Sequence, residues 1–199
     1  MQFNANPLGR QQPVWLLVTG SGLFVVFGGW ALSKARRDFA ERGRLGLNTF
    51  LAAFLAYVGH AAVTLFAAWK STWTIPIDTR VALSTGGLTA VVGASLYMVA
   101  RIEFRSFRRT WGLDNDRLVT TGIYRFSRNP QTLGAVLFLA GASLAGRSAV
   151  ALLLVTLLWV ASLIWLPVEE KVLEHLFGDK YRRYRDAVPR YLGLPRNRT

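Results

Sequence analysis

The chain has 199 residues, of which 52% are hydrophobic and 13% aromatic, and it carries a formal net charge of +13. With a positive mean hydropathy, that is more apolar surface than a water-soluble fold of this length can hide, so the composition points to a membrane. The absence of cysteine excludes disulfides, thiolate nucleophiles and cysteine-ligated zinc. His60 and His175 stand on different elements without carboxylates at ligand spacing, so no metal site is expected.

Five stretches lack Lys, Arg, Asp and Glu: 11–33, 45–69, 81–100, 130–146 and 148–168. Four of them reach the roughly 20 residues that cross a hydrocarbon core, and the one opening on Pro130 is at the short limit. The first stretch is too long for a signal-peptide core and lacks a small-x-small cleavage site, so it reads as a retained span. Its Gly20, Gly22, Gly28 and Gly29 are expected to let helix backbones approach closely. The second holds His60, expected to make a helix-to-helix hydrogen bond, and its outer end is bracketed by Trp69 and Trp73, whose indoles suit an interface.

After the third stretch, residues 101–121 (RIEFRSFRRTWGLDNDRLVTT) alternate charges with aromatics. This pattern predicts a helix at headgroup level, ended by Gly112, Asp114, Asn115 and Asp116. The fourth and fifth stretches meet at Gly146, Arg147 and Ser148, a short polar turn that predicts a helical hairpin. In the tail (EEKVLEHLFGDKYRRYRDAVPR), Val172, Leu173, Leu176 and Phe177 share one helical face. Gly178 and Asp179 punctuate it, and a second short helix is expected to carry Tyr181, Tyr184 and Val188.

Twenty of the 24 basic residues fall in the segment after the first stretch, the segment after the third and the tail, leaving Arg10, Lys70, Arg80 and Arg147 on the other side. That bias predicts an all-α integral membrane protein of five transmembrane helices, N-terminus outside, with amphipathic C-terminal helices in the cytoplasm. Basic charge distributed this way argues against a nucleic-acid partner. No repeat or linker divides the chain, so residues 1–199 read as one domain, with three N-terminal spans in 1–100 and the functional half in 101–199.

The functional half draws its chemistry from two places. GIYRFSRNPQTLG, residues 122–134, precedes the fourth span, and the hairpin brings Glu169 and Glu170 beside it. Adjacent carboxylates at a helix end need cations or donors, which Arg125 and Arg128 are expected to supply, and a structural salt bridge pinning the hairpin base is one use of such a cluster. Gly122 permits an unusual turn and Pro130 fits the first turn of a helix, which together leave a helix N-terminus open to a ligand carboxylate.

Taken in order, LVTTGIYRFSRNPQTLG, the hairpin and EEKVLEHLFGDKYRRYRDAVPR resemble the C-terminal half of the integral-membrane isoprenylcysteine carboxyl methyltransferases and their phospholipid methyltransferase relatives. The likeness runs from Leu118 to Arg190 in the joint pattern G-x-Y-x3-R-x-P and E-E-x2-L-x3-F-G-x2-Y-x2-Y-x3-V-P. It implies that S-adenosyl-L-methionine is held between the hairpin base and the tail, and that its methyl passes to a small lipid-like acceptor in the membrane. By the same resemblance Leu118, Val119, Thr120, Gly122, Tyr124, Arg128, Asn129, Pro130, Gln131 and Glu169 contact the cofactor. Asn129 replaces the family's usual histidine, and Thr132 a common tyrosine.

Trp165 stands where the animal isoprenylcysteine enzymes carry an arginine for the acceptor's carboxylate. As an acceptor-binding residue it therefore implies an amine, sulfur or hydroxyl acceptor; as an interfacial anchor it faces lipid. Glu170 is the nearest base by adjacency. A larger membrane reductase of the sterol reductase branch, using a nicotinamide cofactor, and a non-catalytic lipid-binding scaffold are the two other functions compatible with the residues.

Overall fold

A computed structural model of the protein describes residues 14–104 and 117–194, so the start of the first apolar stretch and most of the charged segment 101–121 lie outside the described residues. The described residues are helical: α1 (Val14–Arg42), α2 (Leu47–Trp69), α3 (Thr79–Phe104), a 3-10 turn (Gly122–Arg125), α4 (Pro130–Ala145), α5 (Ala149–Phe177) and α6 (Asp179–Ala187). Helices α2, α3 and α5 are long and apolar enough to cross a bilayer, and α4 is shorter. Their outward faces carry exposed side chains such as Leu55, Leu88, Val91 and Leu153, a surface suited to hydrocarbon rather than water.

Close helix approach falls elsewhere than the sequence pattern implies. On α1 a Cβ added at Gly22, Gly28 or Gly29 would meet nothing within 4 Å, and at Gly20 it would meet only the Val63 side chain. The tight seam lies instead between α3 and α4. A Cβ at Gly134 would stand 2.9 Å from the Gly93 carbonyl oxygen, and one at Gly86 would stand 2.7 Å from the Gly141 carbonyl oxygen. Gly86 and Gly93 repeat at the same interval as Gly134 and Gly141, so two antiparallel helices interlock backbone against backbone.

At one end, the α1–α2 joint turns through Gly43 at φ +64°. There the buried Asp38 carboxylate accepts hydrogen bonds from the Gly46 N–H at 3.0 Å and from the Thr49 hydroxyl. It satisfies the start of α2 from a neighbouring helix, because Gly46 has no side chain to cap with.

At the other end, Ser148 caps α5 by accepting from Ala151 N–H at 3.1 Å, and its hydroxyl donates to the Thr72 carbonyl at 2.8 Å. Arg147 adds bonds to the Ile75 carbonyl and the Thr79 hydroxyl. The α2–α3 loop and the α4–α5 turn are thus tied together. Within the helices, His60 Nε2 bonds the Leu154 carbonyl at 2.9 Å, the expected link between two helices.

Helix α5 continues past the apolar stretch to Phe177, so Glu169 and Glu170 lie inside a helix rather than at its end. The face formed by Val172 and Leu176, packed with Phe39, Leu45 and Phe50, keeps it wound. It stops at Gly178, whose φ of +51° suits a glycine.

The seam yields a direct test. Gly93→Val should destabilise the protein by about 3 kcal/mol or prevent folding, because the added atoms fall on backbone. Gly22→Val, in open space, should change stability by less than about 1 kcal/mol. Thermal unfolding of both variants in nanodiscs checks the contrast.

Candidate functional site

The segment entering α4 is held from several directions. Tyr124 sits in the 3-10 turn, 5% exposed, with its ring edge-on to Phe104 at 5.3 Å between centroids. Its hydroxyl accepts from Gln131 Nε2 at 3.0 Å, and its carbonyl accepts from the Tyr184 hydroxyl at 2.8 Å. The turn begins at Gly122, φ +56°, where a side chain would overlap the Glu103 carboxylate. Thr121 donates to that same carboxylate at 3.1 Å.

Beyond the turn, the C-terminal segment runs alongside. Arg128 N–H donates to the Pro189 carbonyl at 3.0 Å, and Gly193 N–H to the Phe126 carbonyl at 3.1 Å. Asn129 Nδ2 donates to the Arg190 carbonyl at 3.1 Å. Because that side chain is turned to the tail, it makes no capping bond, and Pro130 follows at the first position of α4. The N-terminal turn of α4 therefore keeps unsatisfied N–H groups beside Gln131 and Thr132.

Glu170 is the centre of the ionic cluster. It is 8% exposed and receives Arg128 at 2.9 Å and Arg190 through two bonds of 3.0 and 2.6 Å. Arg128 also donates to the Tyr181 hydroxyl at 3.5 Å, while its buried Nε–H has no hydrogen-bond partner among the described residues. The cations on Glu170 are thus Arg128 and Arg190; Arg125, expected to contribute, lies exposed. Burial pushes the Tyr181 phenol up to about 12 and moves Tyr124 and Tyr184 in the same direction. These phenols stay neutral near pH 7, able to donate and accept but not to act as bases.

Glu169 points the other way. It has no ion-pair or hydrogen-bond partner among the described residues; it is exposed and lines a cavity of about 560 Å³. That cavity brings together Leu118, Val119, Tyr124, Arg128, Asn129, Gln131, Trp165, Glu169 and Glu170. Three expected contacts, Thr120, Gly122 and Pro130, do not line it; Gly122 and Pro130 shape its wall through backbone conformation. Trp165 faces the cavity and packs among Phe39, Phe50 and Val172 rather than standing free at a span end. The cavity continues past it into an apolar arm between α1, α2 and α5.

A sequence model of the phospholipid methyltransferase family matches residues 81–180, half of the chain. The chain belongs to this family. No match is found among curated proteins or among solved structures. As a phospholipid methyltransferase family member with three helices able to cross a bilayer, the protein is a membrane methyltransferase. The matched segment holds the α3–α4 seam and both carboxylates, whereas α1 and α2 lie outside it.

The resemblance implies a cofactor held against the tail, but reasoning from the sequence missed which tail residues take part and what they bind. Arg190 and the two tyrosines are twenty or more residues removed from the pieces they join, and their regular spacing in the tail was the available signal. Removing the Glu170 carboxylate strands two guanidiniums, one of them with a side chain only 10% exposed. Glu170→Ala should therefore cost about 3 kcal/mol, and Glu169→Ala less than about 1 kcal/mol. Denaturation of the two variants in parallel measures the difference.

Proposed function

We propose that the protein transfers a methyl group from S-adenosyl-L-methionine to a lipid-like amine or thiol, with the cofactor at the polar end of the cavity and the acceptor reaching it from the apolar arm. The observation that carries this reading is the set of unmet polar groups around one cavity: the free carboxylate of Glu169, the unpartnered Nε–H of Arg128 and the uncapped N-terminus of α4. A zwitterionic ligand with additional positive charge complements all three. When bound, S-adenosyl-L-methionine supplies a methyl on a sulfonium, open to in-line displacement by an acceptor lone pair.

The residues divide the work. The α4 N-terminus and Arg128 receive the ligand's carboxylate, while Leu118, Val119 and Tyr124 wall the pocket and Gln131 orients the Tyr124 hydroxyl. Glu169 counters positive charge before transfer and after it, since an amine acceptor gains the charge that the donor loses. It is also the carboxylate free to take the proton an amine or thiol must shed, because both oxygens of Glu170 are engaged by arginines. Rate enhancement then comes from alignment of donor and acceptor in the cavity.

Trp165 tunes the choice of acceptor. An ionised carboxylate against indole and the phenyl rings of Phe39 and Phe50 would be desolvated without a partner, so the native acceptor lacks one. The basic asymmetry of the sequence further supports five spans, with the N-terminus outside and the site on the cytoplasmic side.

Calorimetry with S-adenosylhomocysteine tests the cofactor assignment: Glu169→Gln should weaken binding by about 10-fold to 150-fold, or roughly 1.5 to 3 kcal/mol, in a folded protein. Unchanged affinity would remove Glu169 from the pocket's chemistry. With labelled cofactor at saturation, hexadecylamine or hexadecanethiol should be methylated in preference to a prenylated cysteine. Trp165→Arg should narrow that preference, since a guanidinium pairs with a carboxylate and repels a protonated amine. Tags at the N-terminus and at Thr199 should be reached from opposite sides of the membrane.

A further inference from the structure

The tail continues past its ionic contact as Tyr191, Leu192, Gly193 and Leu194. This short strap is tied to the approach to α4 by two bonds, Asn129 Nδ2 to the Arg190 carbonyl and Gly193 N–H to the Phe126 carbonyl. An added Cβ at Gly193 would stand 2.9 Å from the Pro189 ring, so the strap also folds back on the residues that lead into it.

Tyr191 shows where the strap sits. Its ring packs on that of Trp159, with 4.7 Å between centroids. Trp159 stands near the middle of the apolar stretch 148–168 and eleven residues before Glu170, roughly 16 Å along the axis of a helix. Trp159, Leu163, Leu166 and Glu170 succeed one another at intervals of four, three and four residues, which makes them one stripe of α5. Arg190 meets that stripe at Glu170 and Tyr191 meets it at Trp159. The strap therefore runs from the charged end of α5 toward the interior of its apolar stretch. The buried Tyr191 hydroxyl has no hydrogen-bond partner among the described residues, so ring contact rather than a polar bond seats this side chain.

The neighbours of Tyr191 are apolar and uncovered. Leu192 and Leu194 are 69% and 82% exposed, and Phe126, bonded to the residue between them, is 41% exposed. On the α5 stripe, Leu163 is exposed as well. The patch is thus continuous with the outward face of a helix long and apolar enough to cross a bilayer. Charge fits the same placement: Arg182, Arg183 and Arg185 precede the strap in the sequence, and Arg196 and Arg198 follow it. Cations on both sides of an apolar tip suit lipid headgroups around an inserted segment.

We propose that the strap 191–194 is a membrane anchor, with Leu192, Leu194 and Phe126 in the hydrocarbon of the leaflet on the Glu170 side and Tyr191 clasped to Trp159. The partner of this surface is the bilayer itself. Because Arg190 adjoins Tyr191, seating the strap in lipid also seats the guanidinium on Glu170. The inference rests on α5 as a membrane span and on neither the cofactor nor the acceptor.

Spin labelling tests the anchor in a chain that has no cysteine of its own. Leu192→Cys, Leu194→Cys and Arg183→Cys, each carrying a nitroxide, are placed as full-length protein in liposomes of phosphatidylcholine and phosphatidylglycerol. Power saturation then compares collisions with oxygen, which concentrates in hydrocarbon, and with a nickel chelate, which stays in water. Labels at Leu192 and Leu194 should favour oxygen, and the label at Arg183, exposed on α6, should favour nickel. Adding Tyr191→Ala to Leu194→Cys should abolish the oxygen preference, whereas Tyr191→Phe, which keeps the ring, should retain it.

If Tyr191→Ala disturbs folding, Leu192→Asp takes its place, since a carboxylate opposes insertion into hydrocarbon; it too should abolish the preference at Leu194. Nickel access at Leu192 and Leu194 equal to that at Arg183 overturns the proposal, as does an oxygen preference untouched by Leu192→Asp. Spin–spin broadening at Leu194 also overturns it, because that would place a second copy of the chain, rather than lipid, on the patch.

Discussion

Two guanidiniums on one buried carboxylate join the parts of this protein that would otherwise be separate. Arg128 comes from the approach to α4, Arg190 from the tail, and Glu170 from within α5, and the three meet at distances between 2.6 and 3.0 Å. An unpaired charge at Glu170 or Arg128 would carry a desolvation penalty with little to offset it, so the cluster is most sensitive to the loss of either. Backbone bonds from Arg128 to Pro189 and from Gly193 to Phe126 hold the same strip together without charge. The tail therefore forms one wall of the cavity instead of lying only on a lipid surface.

Around that clamp the two halves of the molecule pack by different means. The α3–α4 pair is joined through glycine backbones, which leaves no interstitial room. The α1–α2 pair is joined at its turn by Asp38, and its helices carry glycine and alanine on the side facing α5. Space is consequently eliminated on one side and retained on the other. The cavity that Glu169 lines is the result of that difference.

Neutralising Glu170 also defines what its neighbour can do. Consecutive positions on a helix point about 100° apart, so Glu169 turns into the cavity while Glu170 turns into the cluster. One carboxylate becomes part of the scaffold and the other remains available to a ligand. This division is also the physical basis for assigning charge compensation and proton acceptance to Glu169.

The sequence by itself determined the membrane class from composition, the five helix-forming apolar stretches, and the two motif segments that mark the family, because all three are local properties of consecutive residues. It also placed most of the cavity's polar lining, since Tyr124, Arg128, Gln131 and Glu169 lie within those motifs. Only the tertiary structure decided which glycines lie against backbone: Gly22 and Gly28 read the same as Gly86 and Gly93 until the partner helix is known. It likewise decided that Arg190 rather than Arg125 answers Glu170, because that choice depends on where the tail folds back, twenty residues later along the chain. Local spacing determines which residues share a helix face, whereas the identity of what that face meets is a property of the whole packing.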